Sequence, residues 1–163
     1  MVDLKLHGVA ELLLLHASVL DELRARGVVR SSNGPAGDYA ELLFSRAFGW
    51  NLVNNSSAGF DATDAEGTRY QIKCRRLTAH NGSRQLSAIR RLTSRPFDVL
   101  AAVLLDEQFR VTRGALIPVD VVTKEARFTE HTNSSRFMLR DTVWRLDGVQ
   151  DVTAKLKAAE GEM

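Results

Sequence analysis

The stretch with most chemical potential runs from Arg69 to Arg75, where side chains alternate between two characters. Tyr70, Ile72 and Cys74 take one parity; Arg69, Gln71, Lys73 and Arg75 take the other. A strand turns successive side chains to opposite faces, so this one has an apolar face and a wholly polar, basic one. The apolar-bounded stretch 60–63 precedes it, joined through Asp64-Ala65-Glu66-Gly67, a turn-forming tetrad that predicts a hairpin. Such a hairpin sets residues near Asp61 opposite Gln71, with Cβ atoms about 5 Å apart. With Phe60 turned to the core, Asp61 joins the face of Gln71 and Lys73. A carboxylate, an amide and a cation then converge.

That trio suits metal-assisted hydrolysis of a phosphodiester. Mg²⁺ takes oxygen ligands, commonly one or two carboxylates completed by phosphate oxygen and water. Asp61 supplies a charged oxygen and the Gln71 carbonyl a neutral one, while Lys73 can orient water or stabilise charge growing on the phosphate. An ordinary cross-strand Asp–Lys pair on an outer face is the competing reading.

The elements needed to position the trio can be read around it. Residues 3–26 form a long helix with Leu6, Val9, Leu13, Ala17, Leu20 and Leu23 along one side, stopped by Gly27. The run Ser31-Ser32-Asn33-Gly34-Pro35-Ala36-Gly37 is a loop by composition, so the helix is an arm, packing on the body or on a second subunit. A second helix spans 38–48, with Ala40, Leu43, Phe44, Ala47 and Phe48 as its stripe and Gly49 as its end. Strands are predicted at 50–53, 60–63 and 69–75, then a helix over 83–92 with Leu86, Ile89 and Leu92 inward. A buried strand follows at 99–105, strands at 109–112 and 115–117, and a short helix from Pro118 to Lys124. The stretch 137–146 is ambiguous, and 149–159 is a terminal helix. The central order is helix, three strands, helix, strand.

The segments Gly59-Phe60-Asp61-Ala62-Thr63-Asp64 and Gly67-Thr68-Arg69-Tyr70-Gln71-Ile72-Lys73-Cys74-Arg75-Arg76 resemble the PD-(D/E)xK nuclease signature. In that superfamily an acid on one strand precedes an acid-x-Lys triplet on the next. Gln71 departs from the acid, as in the QxK triplet of Mrr-type restriction endonucleases. The resemblance covers residues 37–106. It implies an α/β fold (an α+β mixed sheet) with a restriction endonuclease-like core; the N-terminal helix and, over 107–163, the extra strands and C-terminal helix lie outside it, and 163 residues suit a single domain. It also implies a divalent-metal-dependent endonuclease acting on DNA, with Asp61 and Gln71 as Mg²⁺ ligands, Mn²⁺ as a substitute and Lys73 as the catalytic lysine. Many members carry a Glu on the first core helix, which falls here on Glu41 and implies it as a third metal ligand and catalytic carboxylate, since Gln71 brings no charge. Asp38-x-x-Glu41 also matches the spacing of a capping box.

Charge distribution agrees with a polyanionic partner. The protein has 163 residues, 44% hydrophobic and 26% charged, which excludes a disordered chain and a disulfide scaffold. Its net charge is only +2, yet residues 69–95 hold eight basic residues and no acid, so the remainder carries −6. A run of this kind is either a solvated face or an electrostatic footprint for nucleic acid. On the second reading Arg69, Arg75, Arg76, Arg84, Arg90 and Arg91 hold the DNA backbone. The bias of 17 Arg to 5 Lys fits bidentate phosphate recognition, or merely a GC-rich genome.

Other chemistries are disfavoured. His7, His16, His80 and His131 lack zinc spacing, although His80 follows the basic strand closely enough to touch substrate. Cys74 is the single cysteine, which suits a reducing cytoplasm, and its core-facing parity argues against a nucleophile. No phosphate loop or GxGxxG run is present. No apolar run reaches membrane-spanning length, and Asp3 stands where a signal peptide carries positive charge. Cutting both strands of DNA calls for two active sites, so a homodimer is expected, through the N-terminal helix. The alternatives are an inactive DNA-binding protein of this fold and an accessory subunit of a nuclease or defence complex.

Overall fold

The computed structural model describes residues 3–30, 34–54 and 59–163, so the loop expected over 31–37 lies partly outside the described residues. After a 3-10 turn at Leu4–Leu6, helix α1 spans Val9–Ala25. The Glu11 carboxylate accepts a hydrogen bond from the Gly8 N–H at 2.9 Å, satisfying one open donor of its first turn. Gly27, at φ +69°, ends the arm as expected. No residue of α1 is buried. Helix α2, Ala36–Phe48, buries Ala40, Leu43 and Phe44, and Gly49 terminates it at φ +71°.

Strand β1 (Asn51–Leu52) pairs antiparallel with β2 (Ala62–Thr63), and β2 with β3 (Arg69–Arg76). The hairpin forms in the predicted register, Thr63 facing Arg69 and Ala62 facing Tyr70. Phe44, Phe48, Trp50 and Tyr70 form a stack of rings that ties α2 to β3, with Trp50 and Tyr70 3.6 Å apart at their centroids.

The connection that follows differs from expectation. Residues 83–92 form no helix; they run extended, with the short strand β4 at Ile89–Arg90 and a 3-10 turn at Leu92–Ser94. Leu86, Ile89 and Leu92 are buried all the same. Their backbone partners lie some fifty residues away: Leu86 N–H donates to Phe137 O at 3.0 Å, and Leu139 N–H to Arg84 O at 3.0 Å. Arg91 and Arg95, at φ +53° and +50°, adopt a conformation no right-handed helix contains. The core order is thus helix, three strands, extended crossover, strand, and Arg84, Arg90 and Arg91 share no helical face.

Strand β5 (Val99–Leu105) pairs parallel with β3, and β6 (Val111–Pro118) antiparallel with β5; the two strands predicted around 109–117 are this one. Helix α3, Val119–Glu125, follows Pro118. Strands β7 (Arg127–Thr129) and β8 (Ser134–Arg136) join β4 in a small sheet of order β4-β8-β7. A 3-10 turn at Asp141–Arg145 occupies the ambiguous stretch. The terminal helix is preceded by strand β9 (Gln150–Asp151) and spans Thr153–Gly161 as α4. The main sheet has order β1-β2-β3-β5-β6-β9, a mixed α/β arrangement.

Two cores flank this sheet. Helices α2 and α4 cover Tyr70, Ile72, Ala101, Val103 and Leu105. The other face of β5, Leu100, Ala102 and Leu104, meets Leu86, Ile89, Leu92, Phe97, Phe137 and Leu139. Strand β5 is apolar throughout because it is sandwiched between both. No helix is long and apolar enough to cross a membrane among the described residues.

Candidate active site

Asp61 sits where β1, β2 and β3 meet. Its N–H donates to Tyr70 O at 2.7 Å and its carbonyl accepts from Val53 N–H at 3.0 Å, which fixes the backbone on both sides. The side chain turns to β3: Asp61 Oδ2 accepts from Gln71 Nε2 at 2.5 Å and from the Ile72 N–H at 2.7 Å. Phe60 does not share the Tyr70 core as alternation requires; it packs against the opposite core, which holds Leu100 and Phe97.

Asp61, Gln71 and Lys73 line one cleft of about 610 Å³. The facing wall is the extended crossover, contributing Ala88, Arg90, Arg91, Ser94 and Pro96. Gly59 touches that wall: a Cβ there would lie 2.5 Å from Pro96 Cβ. Glycine at 59 is what lets the two backbones approach so closely. Lys73, Arg90 and Arg91 make no ion pair among the described residues.

Three of the remaining basic residues of the acid-free run are neutralised from outside it. Arg69 grips Asp98 through Nε and Nη2 at 3.1 and 2.9 Å, Arg84 reaches Asp141 at 2.7 Å, and Arg95 pairs with Asp120. Each pairing holds the aspartate's carboxyl below the usual range. Arg75 donates to Ser83 O at 2.9 Å; Arg76 donates to Glu107 O at 2.6 Å and lies 4.2 Å over the Phe109 ring. Of the six arginines expected to hold a polyanion, Arg90 and Arg91 alone line the cleft.

Glu41 does not line it. Its Oε2 is paired with Arg30, which also donates to Val53 O at 3.1 Å and, through its backbone N–H, to Asp38 Oδ2 at 2.7 Å. Helix α2 begins before Asp38, so Asp38 is no helix cap. Burial pushes the Glu41 carboxyl up, the Arg30 hydrogen bond pulls it back, and the Asp61 charge raises it again. Burial also pushes the Cys74 thiol up to about 11, in keeping with an inert thiol.

No protein-family model and no curated protein sequence matches this chain. Among the described residues no three His, Cys, Asp or Glu side chains group together as a metal site. Asp61 brings one carboxylate to the cleft, and a hard divalent cation would take it together with the Gln71 carbonyl, leaving several positions to water and phosphate. The amide fits this role once its carbonyl, rather than its N–H, faces the ion. His80 lies in the exposed turn bridged by Thr78 and Asn81, outside the cleft.

Proposed function

We propose that the protein is a divalent-metal-dependent endonuclease hydrolysing phosphodiester bonds in DNA. One observation carries the reading: Asp61, Gln71 and Lys73 share a cleft whose other wall presents Arg90 and Arg91 without carboxylate partners. The helix, three-strand and parallel-strand order around it supports a restriction endonuclease-like core with the crossover helix replaced by extended chain. Arg90 and Arg91 grip the backbone phosphates flanking the scissile bond, since phosphate contacts position a strand without reading its sequence. Asp61 and Gln71 would hold Mg²⁺, or Mn²⁺ in its place. Such an ion, when bound, supplies Lewis-acid charge at the phosphoryl group. Lys73 reaches the same point from β3, donates to a phosphoryl oxygen and stabilises the charge that grows there.

Plasmid nicking with Mg²⁺ or Mn²⁺ tests this. Removing Asp61 or Lys73 as alanine should each lower the rate by about 10²-fold or more, while equal activity in the three proteins rejects the assignment. A second reading, a DNA-binding protein without catalysis, is favoured by Gln71, a neutral side chain whose N–H bonds Asp61. Salt-sensitive DNA binding with no cleavage under either metal selects it. The exposed Leu6, Val9, Leu13 and Leu14 of the arm support a homodimer, or docking on a larger assembly; the mass in solution separates these. The free Cys74 thiol supports a cytoplasmic location.

A further inference from the structure

The small sheet beside the cleft carries a charged surface that hydrolysis at Asp61 and Lys73 does not require. Arg127 on β7 stands directly across from Arg136 on β8, and both are exposed. Like charges opposed on neighbouring strands destabilise a sheet. Arg127, Arg136 and the nearby Arg140 make no ion pair among the described residues, in contrast with Arg69, Arg84, Arg95 and Arg113. The three line a second cleft of about 530 Å³ together with Phe128, against a single carboxylate, Glu125.

Phe128 is 59% exposed and is the one large apolar side chain so exposed between α2 and α4, among the described residues. It also borders a hollow of about 170 Å³ that it shares with Arg91, and Arg91 lines the Asp61–Lys73 cleft. The three hollows thus form a series linked by shared lining residues, Arg91 between the first two and Phe128 between the last two.

We infer that this series is the path of a single strand of DNA entering or leaving the Asp61–Lys73 cleft, with one base stacked on Phe128 and phosphates against the arginines. The arginine excess over Glu125 matches a polyanion, and an exposed aromatic face is of use to an unpaired base rather than to a stacked duplex. The inference rests on the nuclease reading of the cleft and narrows its substrate to DNA with a single-stranded portion, such as a flap or an overhang.

Fluorescence anisotropy in EDTA, with a blunt duplex and the same duplex carrying a single-stranded tail, tests the path apart from catalysis. The tail should tighten binding by about 5- to 150-fold, the equivalent of one stacked base. Phe128→Ala and Phe128→Leu should both lose that gain, whereas Phe128→Trp keeps it. Replacing Arg127 and Arg136 with Gln should flatten the salt dependence of tail binding by about 1.4, two single-strand phosphate contacts. Equal binding of the two DNAs, a Leu variant that binds the tail like wild type, or an unchanged salt slope overturns the path. Tail preference without cleavage in Mg²⁺ or Mn²⁺ upholds the path and rejects the nuclease; cleavage without tail preference does the reverse.

Discussion

Gly59 and Gly67 form a matched pair for measuring what holds the cleft wall in place. Both sit at positive φ, +94° and +84°. A Cβ on Gly67 meets nothing within 4 Å, while one on Gly59 would lie 2.5 Å from Pro96 Cβ and 3.3 Å from Pro96 Cγ. Holding an L side chain in the left-handed half of backbone space costs about 1–2 kcal/mol. Displacing a stiff proline ring adds the about 1–3 kcal/mol of an overpacked contact. Gly67→Ala should therefore lose about 1–2 kcal/mol, and Gly59→Ala about 2–5 kcal/mol. In a chain of this size those losses lower Tm by about 2–8 °C and about 4–20 °C. Urea and thermal unfolding measure both. A double-mutant cycle isolates the contact: in a Pro96→Gly background, which has no Cβ to strike, Gly59→Ala should cost about 1–3 kcal/mol less. Equal losses at the two glycines, or a Gly59→Ala cost indifferent to the Pro96 ring, refute the reasoning.

Arg30→Ala leaves a charged Glu41 without its cation, and with the pair partly exposed (31% and 14%) the loss should be about 1–3 kcal/mol at about pH 8. Burial already holds the Glu41 carboxyl high. A raised group adds stability below its unfolded pKa and loses it as pH rises through the folded one, so the variant's deficit should shrink toward about pH 5; a pH-independent deficit in chemical denaturation contradicts this. Cys74, pushed up to about 11 by burial with Glu41 adding to it, should resist iodoacetamide in the native protein and react once unfolded. Fast native alkylation would count against it. The Tyr70 phenol, pushed up to about 12 by burial and by its hydrogen bond to Asp64, should titrate lower in Asp64→Asn yet stay above an ordinary tyrosine. A spectrophotometric titration that leaves it unmoved removes the role of Asp64.

The hairpin was legible because its information is local. Period-two alternation at Tyr70, Ile72 and Cys74 and the turn ending in Gly67 determine the register, and with it the approach of Asp61 to Gln71. The crossover was not legible. Leu86, Ile89 and Leu92, three apart, fit an inward helical face, and they also fit extended chain whose partners are Phe137, Ser135 and Met138. Nothing near residue 86 announces those partners. The same distance hid the fate of the charge: Arg69, Arg84 and Arg95 lie in an acid-free run, yet meet Asp98, Asp141 and Asp120 in space. Arg127, Phe128 and Arg136 lie on strands of three residues, too short to show a period in the sequence.

The extended crossover also orders events during synthesis. Asp61, Gln71 and Lys73 can take up their register once the hairpin has left the ribosome. The wall they face cannot, because Ile89 waits for Ser135 and Leu86 for Phe137. At about 5–20 residues per second, that wait lasts several seconds. A nascent chain in that interval carries Asp61, Gln71 and Lys73 but not the wall that faces them, so the cleft is completed only after the segment around Phe137 has been made.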